Sequence, residues 1–127
     1  MPGALVSRFI QHIEQHQLSE AIALLSPDCE YDNVPMGKVH GRDAVAATLG
    51  PFMSGFEHIE WIVHHQVEHG DLDHGVVMNE RLDRFGARDR WLELPVAGLF
   101  VVDHGHISLW RDYFDRESLL RQMAELA

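Results

Sequence analysis

The sequence of 127 residues has little of what several classes of protein depend on. It has one cysteine, Cys29, so no disulfide can form within the chain. It has one lysine, Lys38, and its 10 basic residues stand against 20 acidic ones, which gives a formal charge of -10. Phosphate backbones and anionic lipids are bound by clustered positive charge, so neither nucleic acid nor membrane is expected as a partner.

Long hydrophobic runs, internal repeats and low-complexity tracts are also missing. No apolar stretch approaches the roughly 18 residues that a membrane helix needs. The first residues lack the basic start and apolar run of a secretory signal, and together with the lone cysteine this predicts a cytoplasmic location. The length and an apolar fraction of 46% are typical of one globular domain, which we predict to span residues 1–127.

Helical patterns come first along the chain. Leu5, Phe9 and Ile13 recur every four residues, which predicts an amphipathic helix. The segment LSEAIALLSPDCE predicts a second, short helix stopped by Ser26-Pro27, and CEYDNVP a short extended piece. The segment GRDAVAATLGP predicts a third helix that ends at Gly50-Pro51.

From Phe56 onward the hydrophobic period changes to two. Four strands are predicted, separated by glycine-containing turns: HIEWIVHHQVEH, GVVMNERLDRFG, RWLELPVAGLFVVD and HISLWRDYFD. Pro95, within the third of them, indicates a sheet edge or a bulge. Asp115 is expected to cap a last helix. Helices grouped before an antiparallel meander predict an α+β domain, in which a strongly bent sheet under helices would enclose a pocket.

Polar residues stand among apolar ones on two of these strands. Since residues two apart share a face, one face combines Val77, Asn79, Arg81, Asp83 and Phe85. On the last strand Asp112 lies between Trp110 and Phe114. An unpaired buried carboxylate costs several kcal/mol, so an inward Asp112 must protonate or find a cation, for which Arg81 is the candidate.

Each of these features also has an ordinary structural interpretation. Arg81 and Asp83 could form a solvated ion pair, and Asp112 could face water at a sheet edge. Tyr31 and Asn33, which share a face of the early extended piece, could be turn and core polar groups. The combination of the three features favours a functional site over the separate explanations.

The ten histidines invite a metal interpretation. His64, His65, His69 and His74 lie in one region, but no further ligand follows at a recognised spacing. We therefore predict no metal site and interpret these histidines as solvated strand ends and turns.

Three motifs together resemble the limonene-1,2-epoxide hydrolase family. These are Tyr31-x-Asn33, Arg81-x-Asp83 and the run LWRDYFD that contains Asp112, in the same order along most of the chain. The family is a branch of the SnoaL-like, nuclear-transport-factor-2-like superfamily. The resemblance implies its cone-shaped α+β fold: N-terminal helices on a strongly curved, mostly antiparallel mixed sheet, with a short C-terminal helix.

The resemblance also implies a mechanism and a set of residues. Asp83 would be the general acid, Asp112 the general base, and Arg81 the cation between them, while Tyr31 and Asn33 would orient the attacking water. The expected reaction is the one-step hydrolysis of a small lipophilic epoxide, without any cofactor. A homodimer formed through the outer sheet face is expected as well.

We also expect an apolar pocket beside these groups. The side chains expected to contact the substrate are Trp110, Phe114, Phe85, Val77 and Met36, with further residues from LPVAGLF. Each could instead be plain core.

Two other functions remain open on sequence grounds. A ketosteroid-isomerase-like or polyketide-cyclase-like enzyme would use the same kind of cavity and an aspartate base, and would not need an arginine between two aspartates. A non-catalytic small-ligand-binding module would need neither aspartate.

Overall fold

The computed structural model describes residues 1–127, which form four helices and six strands. The helices are α1 (Pro2–Glu14), α2 (Leu18–Ala23), α3 (Arg42–Ser54) and α4 (Arg116–Leu126). The strands are β1 (Leu25–Asn33), β2 (Gly37–His40), β3 (His58–Gly70), β4 (His74–Ala87), β5 (Arg90–Asp103) and β6 (His106–Tyr113).

All six strands belong to one curved, mixed sheet in the order β2-β1-β6-β5-β4-β3. Only the β1–β6 pair is parallel, and the other four pairs are antiparallel. Strands β3 to β6 form most of the pairing, because short turns join each of them to the next and let consecutive strands pair as hairpins. The predicted α+β class, with helices on a mostly antiparallel mixed sheet, is confirmed.

Helix α1 covers one side of the sheet along β3 and β4. Its apolar stripe, which includes Val6, Phe9 and Ile13, is fully buried. Pro2 lies against Gly75 at the start of β4, and the carboxylate of Glu14 accepts a hydrogen bond of 2.9 Å from the backbone N–H of Trp61 on β3. These two contacts fix the direction of α1 along the sheet.

The four predicted strands are confirmed, together with two local features. Pro95 lies opposite Leu82 of β4, whereas the pairing of β5 with β6 begins only at Ala97. Pro95 therefore lies where β5 has no partner on the β6 side, and a sheet edge is a position at which proline is tolerated. The side chain of Asp115 accepts a hydrogen bond of 3.2 Å from the backbone N–H of Glu117, as expected of an N-cap.

Two predictions in the first half of the chain are wrong in detail, and one strand was missed. The second helix ends at Ala23, and Ser26-Pro27 lies within β1, in a stretch between Leu25 and Glu30 that lacks a regular partner. Strand β2 was not predicted. Helix α3 does not end at Gly50-Pro51 but runs on to Ser54, since Phe52 packs on Phe85 and Phe56 at centroid distances of 5.0 and 5.2 Å. This packing offsets the hydrogen bond that a proline removes from a helix.

Candidate active site

A cavity of about 260 Å³ lies between α3 and the sheet. Eleven of the fifteen residues that line it are hydrophobic. The four polar ones are Asn33, Asp83 and Asp112 at the sheet wall, beside aromatic rings, and Thr48 on α3. The cavity is thus an apolar pocket in which a few polar groups converge, which is the usual form of a small-molecule site.

The guanidinium of Arg81 joins two carboxylates at this wall. Its Nε and Nη2 donate to the two oxygens of Asp83 at 2.9 and 3.0 Å, and Nη2 also donates to Oδ2 of Asp112 at 3.0 Å. Its Nη1 donates to Oδ1 of Asn79 at 2.9 Å. The Arg81 side chain is completely buried, and the side chains of the two aspartates are 4% and 6% exposed.

The bridge from Arg81 to Asp112 crosses a whole strand, because β5 lies between β4 and β6. Gly98 of β5 lies opposite both Asn79 and Asp112. A Cβ on Gly98 would collide with Nη1 of Arg81 and lie 3.0 Å from Oδ1 of Asp112. The glycine is therefore needed here because any side chain would occupy the space of the guanidinium.

One cation faces two carboxylates in a place with little water. Burial raises the pKa of Asp83 to about 6, a rise that Arg81 opposes and that the nearby charges of Asp112 and Glu14 increase. Burial lowers the pKa of Arg81, but the two aspartates outweigh it and raise that pKa overall, so the arginine stays charged. The site is therefore built to hold a proton on a carboxyl group.

Tyr31 and Asn33 reach the same wall from β1. In the parallel pairing of β1 and β6, Asn33 lies opposite Asp112 and Tyr31 opposite Trp110. The Tyr31 ring stacks on Trp110 with a centroid distance of 3.8 Å, and its hydroxyl accepts a hydrogen bond of 3.0 Å from Nδ2 of Asn33. Burial, with the charge of Asp112, raises the pKa of Tyr31, so the hydroxyl keeps its proton.

The second oxygen of Asp112 has no partner within the protein. Oδ2 is held by Arg81, whereas Oδ1 is buried and accepts no hydrogen bond. A buried carboxylate oxygen without a donor is costly, and such groups in native structures commonly mark water or substrate positions. Its neighbour Asn33 has an amide oxygen that accepts nothing from the protein.

Three of the five predicted substrate contacts line the cavity, and two do not. Phe114, Phe85 and Met36 line it, but Trp110 and Val77 belong to the closed core. Trp110 is covered by Phe9 of α1, at a centroid distance of 5.0 Å. Sharing a strand face with Asp112 or Arg81 therefore does not by itself bring a side chain to the pocket, because α1 covers the part of the sheet where Trp110 lies.

The α3 side of the cavity was not predicted. Its wall consists of Thr48, Leu49, Phe52 and Met53 from α3, with Leu119 from α4. Trp61, Leu94 and Val96 complete the sheet side, and the last two lie in the LPVAGLF segment that was expected to contribute. An apolar spacing of three and four within α3 is a signal for a buried face, but it does not distinguish core from cavity.

The histidines lie away from this site. His64, His65 and His69 are exposed on β3, and His74 pairs with Asp103 at 2.7 Å at the far turns of the sheet. No group of three or more histidine, cysteine, aspartate or glutamate side chains is arranged to hold a metal ion. None of the helices combines the length and the apolar character needed to cross a membrane.

Comparison with known proteins identifies the relatives of this chain. The model of the limonene-1,2-epoxide hydrolase catalytic domain matches residues 2–125. The chain belongs to the limonene-1,2-epoxide hydrolase family. Epoxide hydrolase EphG of Mycobacterium tuberculosis is 30% identical over 112 residues, which are 87% of this chain and 70% of that protein. At the level of the family, the chain is an epoxide hydrolase.

Solved structures agree with this assignment. A limonene-1,2-epoxide-hydrolase-like epoxide hydrolase from M. tuberculosis superposes with a TM-score of 0.75 at 30% identity, over 97% of this chain and 92% of that one. A candidate polyketide cyclase from Xanthomonas campestris has a TM-score of 0.71 at 16% identity, over 94% of both chains. The second likeness concerns the fold alone, which other enzymes share.

Proposed function

We propose that the chain adds water to a small lipophilic epoxide in one step, giving a vicinal diol without a covalent enzyme intermediate. The observation that carries the proposal is the buried guanidinium of Arg81 between Asp83 and Asp112 at the wall of an apolar cavity. Epoxide opening by water needs a proton donor for the leaving oxygen and a base for the water, and two carboxyls in different protonation states supply both.

Asp83 is the proposed acid. Its raised pKa of about 6 keeps part of the enzyme protonated at this position near neutral pH. As the C–O bond of the epoxide breaks, its electron pair moves to oxygen, which takes the proton of Asp83. The alkoxide that would otherwise leave is thereby neutralised as it forms.

Asp112 is the proposed base. Its Oδ1 is free of protein donors and can accept one proton of a water molecule, while the Asn33 amide oxygen accepts the other. Tyr31 fixes the Asn33 amide through its hydroxyl. The water oxygen then forms the new bond to carbon from a fixed position, which removes much of the entropic barrier. After product release, a proton passes from Asp112 back to Asp83 to restore the starting state.

The size of the cavity supports a small substrate. A volume of about 260 Å³ lies just below the roughly 300–1,000 Å³ typical of pockets for drug-sized ligands. This favours a compact epoxide over a four-ring steroid or an extended polyketide. It also supports the hydrolase proposal over an isomerase or a cyclase of the same fold.

An isotope experiment tests the direct attack. Excess enzyme is mixed with styrene oxide in oxygen-18 water for a single turnover, and the diol and the protein are analysed by mass spectrometry. Direct hydrolysis places the label in the diol. A covalent ester would instead leave the label in an aspartate and unlabelled oxygen in the diol, which would overturn the proposal. An enone steroid assayed in parallel tests the isomerase alternative.

We also propose that two copies pair through the outer face of the sheet. Met78, Pro95, Ala97 and Tyr113 leave apolar surface exposed there, next to one another on β4, β5 and β6. Exposed apolar patches of this kind are typical of protein interfaces. Light scattering at micromolar concentration should give twice the chain mass, and Ala97→Arg should give the monomer. A monomeric wild type would contradict this.

A further inference from the structure

We propose that Asn79 and Gln66 act as a positioning pair for Arg81, which sets the rotation of the guanidinium and so allows one nitrogen to serve both aspartates. The inference rests on the proposed hydrolase function and adds two residues to it. Neither residue lines the cavity, so neither is proposed to touch the substrate.

The hydrogen bonds define the pair. Asp83 and Asp112 occupy the edge of the guanidinium formed by Nε and Nη2, while the other edge, Nη1, donates to Oδ1 of Asn79 at 2.9 Å. Asn79 is buried, with 5% of its surface exposed. Its Nδ2 donates to Oε1 of Gln66, its direct partner on β3, at 3.2 Å.

The direction of the hydrogen bonds from Arg81 through Asn79 to Gln66 is set by the arginine. A guanidinium has only donors, so Asn79 must turn its oxygen to Arg81 and its nitrogen to β3. Gln66 must then present its own oxygen. Each amide therefore has one useful orientation, and the loss of either acceptor leaves the next group free to rotate.

Aromatic rings do not provide this constraint. The Cζ of Arg81 lies 5.0 Å from the ring centroid of Trp61 and 5.9 Å from that of Phe100. Contact with a ring face limits the tilt of a guanidinium but leaves rotation in its own plane free. In-plane rotation decides whether Nη2 reaches Asp83 and Asp112 together, and only Asn79 holds the opposite edge.

The pair is anchored beneath the first turn of α1. Gln66 is half-buried, and a Cβ on Gly3 would lie 3.0 Å from its Nε2. The absence of a side chain at Gly3 thus leaves room for the amide between helix and strand. The position of Gln66 is set by packing that is remote from the cavity.

The test compares Asn79→Leu, Gln66→Leu and the double variant in styrene oxide hydrolysis across pH. Asn79→Leu keeps the branched shape of the side chain and removes the acceptor, so kcat is expected to fall about tenfold, equivalent to about 1.4 kcal/mol, with KM nearly unchanged. The alkaline limit of its pH profile should move, because a rotated guanidinium changes how strongly Arg81 lowers the pKa of Asp83. Gln66→Leu should lose less, and the double variant no more than Asn79→Leu, since Gln66 acts through Asn79.

Two further variants separate positioning from simple stability. Val102→Ala opens a cavity in the buried part of β5 and should lower the melting temperature without moving the pH profile. Asn79→Asp still accepts from Arg81 and should recover much of the lost kcat, with the alkaline limit moved upward by its charge. If Asn79→Leu does not fold, the pH profiles of Asn79→Asp and Gln66→Leu are compared with wild type instead, since Gln66 is only half-buried.

The proposal is overturned if Asn79→Leu only lowers the melting temperature, as Val102→Ala does, or if the losses of the two single variants multiply in the double variant. Neither result would affect the proposed function, which depends on the oxygen-18 experiment with the wild-type protein.

Discussion

Two arginines on the same strand are surrounded by the same kinds of group on opposite faces of the sheet. Arg81 contacts Asp83, Asp112 and the ring of Trp61. Arg84 donates to Glu60 at 2.6 Å and to Glu93 at 2.8 Å, and its Cζ lies 4.0 Å from the ring centroid of Trp91. Each cluster thus combines one arginine, two carboxylates and one tryptophan.

The two clusters differ in access to water. The Arg81 side chain is 0% exposed and its aspartates at most 6%, whereas the Arg84 side chain is 24% exposed and its glutamates about half exposed, at 47% and 50%. Burial raises the pKa of Asp83 to about 6. Ion pairing alone therefore does not make a site for acid–base chemistry. A second carboxylate beside one cation keeps a proton near neutral pH only where water cannot solvate its charge.

The largest contrast is expected from removing each arginine. Arg81→Leu leaves two buried carboxylates without their cation and should lower the free energy of unfolding by about 3–5 kcal/mol. Arg84→Leu removes exposed pairs and should cost at most about 1 kcal/mol. Urea denaturation of both variants measures the difference. Equal losses would mean that the inner cluster is as well solvated as the outer one.

A smaller change separates chemistry from stability. Asp112→Asn keeps the shape of the side chain but removes the proposed base, so kcat for epoxide hydrolysis should fall about 10³-fold, within the range usual for general bases. The matched variant Glu93→Gln changes the outer cluster and should leave kcat within about twofold, because it is remote from the cavity. Both are measured with styrene oxide. A near-wild-type rate for Asp112→Asn would remove Asp112 from the mechanism.

The third contrast concerns the proton on Asp83. Its pKa rises from 3.8 to about 6 on folding, so the folded protein holds the proton more tightly, and wild-type stability falls as pH rises through this window. Asp83→Asn has no such loss. Its stability relative to wild type should therefore increase between about pH 4 and 6 by an amount on the order of 1–3 kcal/mol.

Melting temperatures measured from pH 4 to 8 follow this difference, and Glu60→Gln is the control in the exposed cluster, for which a flat difference is expected. A flat difference for Asp83→Asn would mean that Asp83 is ionised at both ends of the range and is not the acid. The same variant should be inactive throughout.

The two clusters also explain what the sequence could and could not reveal. Alternation along β4 placed Asn79, Arg81 and Asp83 on one face, and the strong turn signals fixed the strands from β3 to β6. The contact between Arg81 and Asp112 depends on Gly98, which removes a side chain from the strand between them. That is a property of strand order and register, which periodicity does not contain.

Packing decided the remaining differences. Pro51 is a strong local signal for the end of a helix, yet the packing of Phe52 on Phe85 accompanies the continuation of α3 past it, which forms the far wall of the cavity. Trp110 and Val77 lie on the predicted inward faces but under α1. In both cases packing between a helix and the sheet overruled a local rule, and the placement of a helix on a sheet cannot be read from either segment alone.

The smallest expected effect is the response of each cluster to salt. The Debye length falls from about 10 Å at 0.1 M to about 3 Å at 1 M salt, so ion pairs in contact with water weaken while buried ones do not. The loss caused by Arg84→Leu should therefore shrink by a few tenths of a kcal/mol between these concentrations, and the loss caused by Arg81→Leu should stay constant. Because each variant is compared with wild type at the same salt, general effects of salt on folding cancel. If the Arg81→Leu difference also shrinks, water reaches the guanidinium, and the dry environment that keeps a proton on Asp83 is absent.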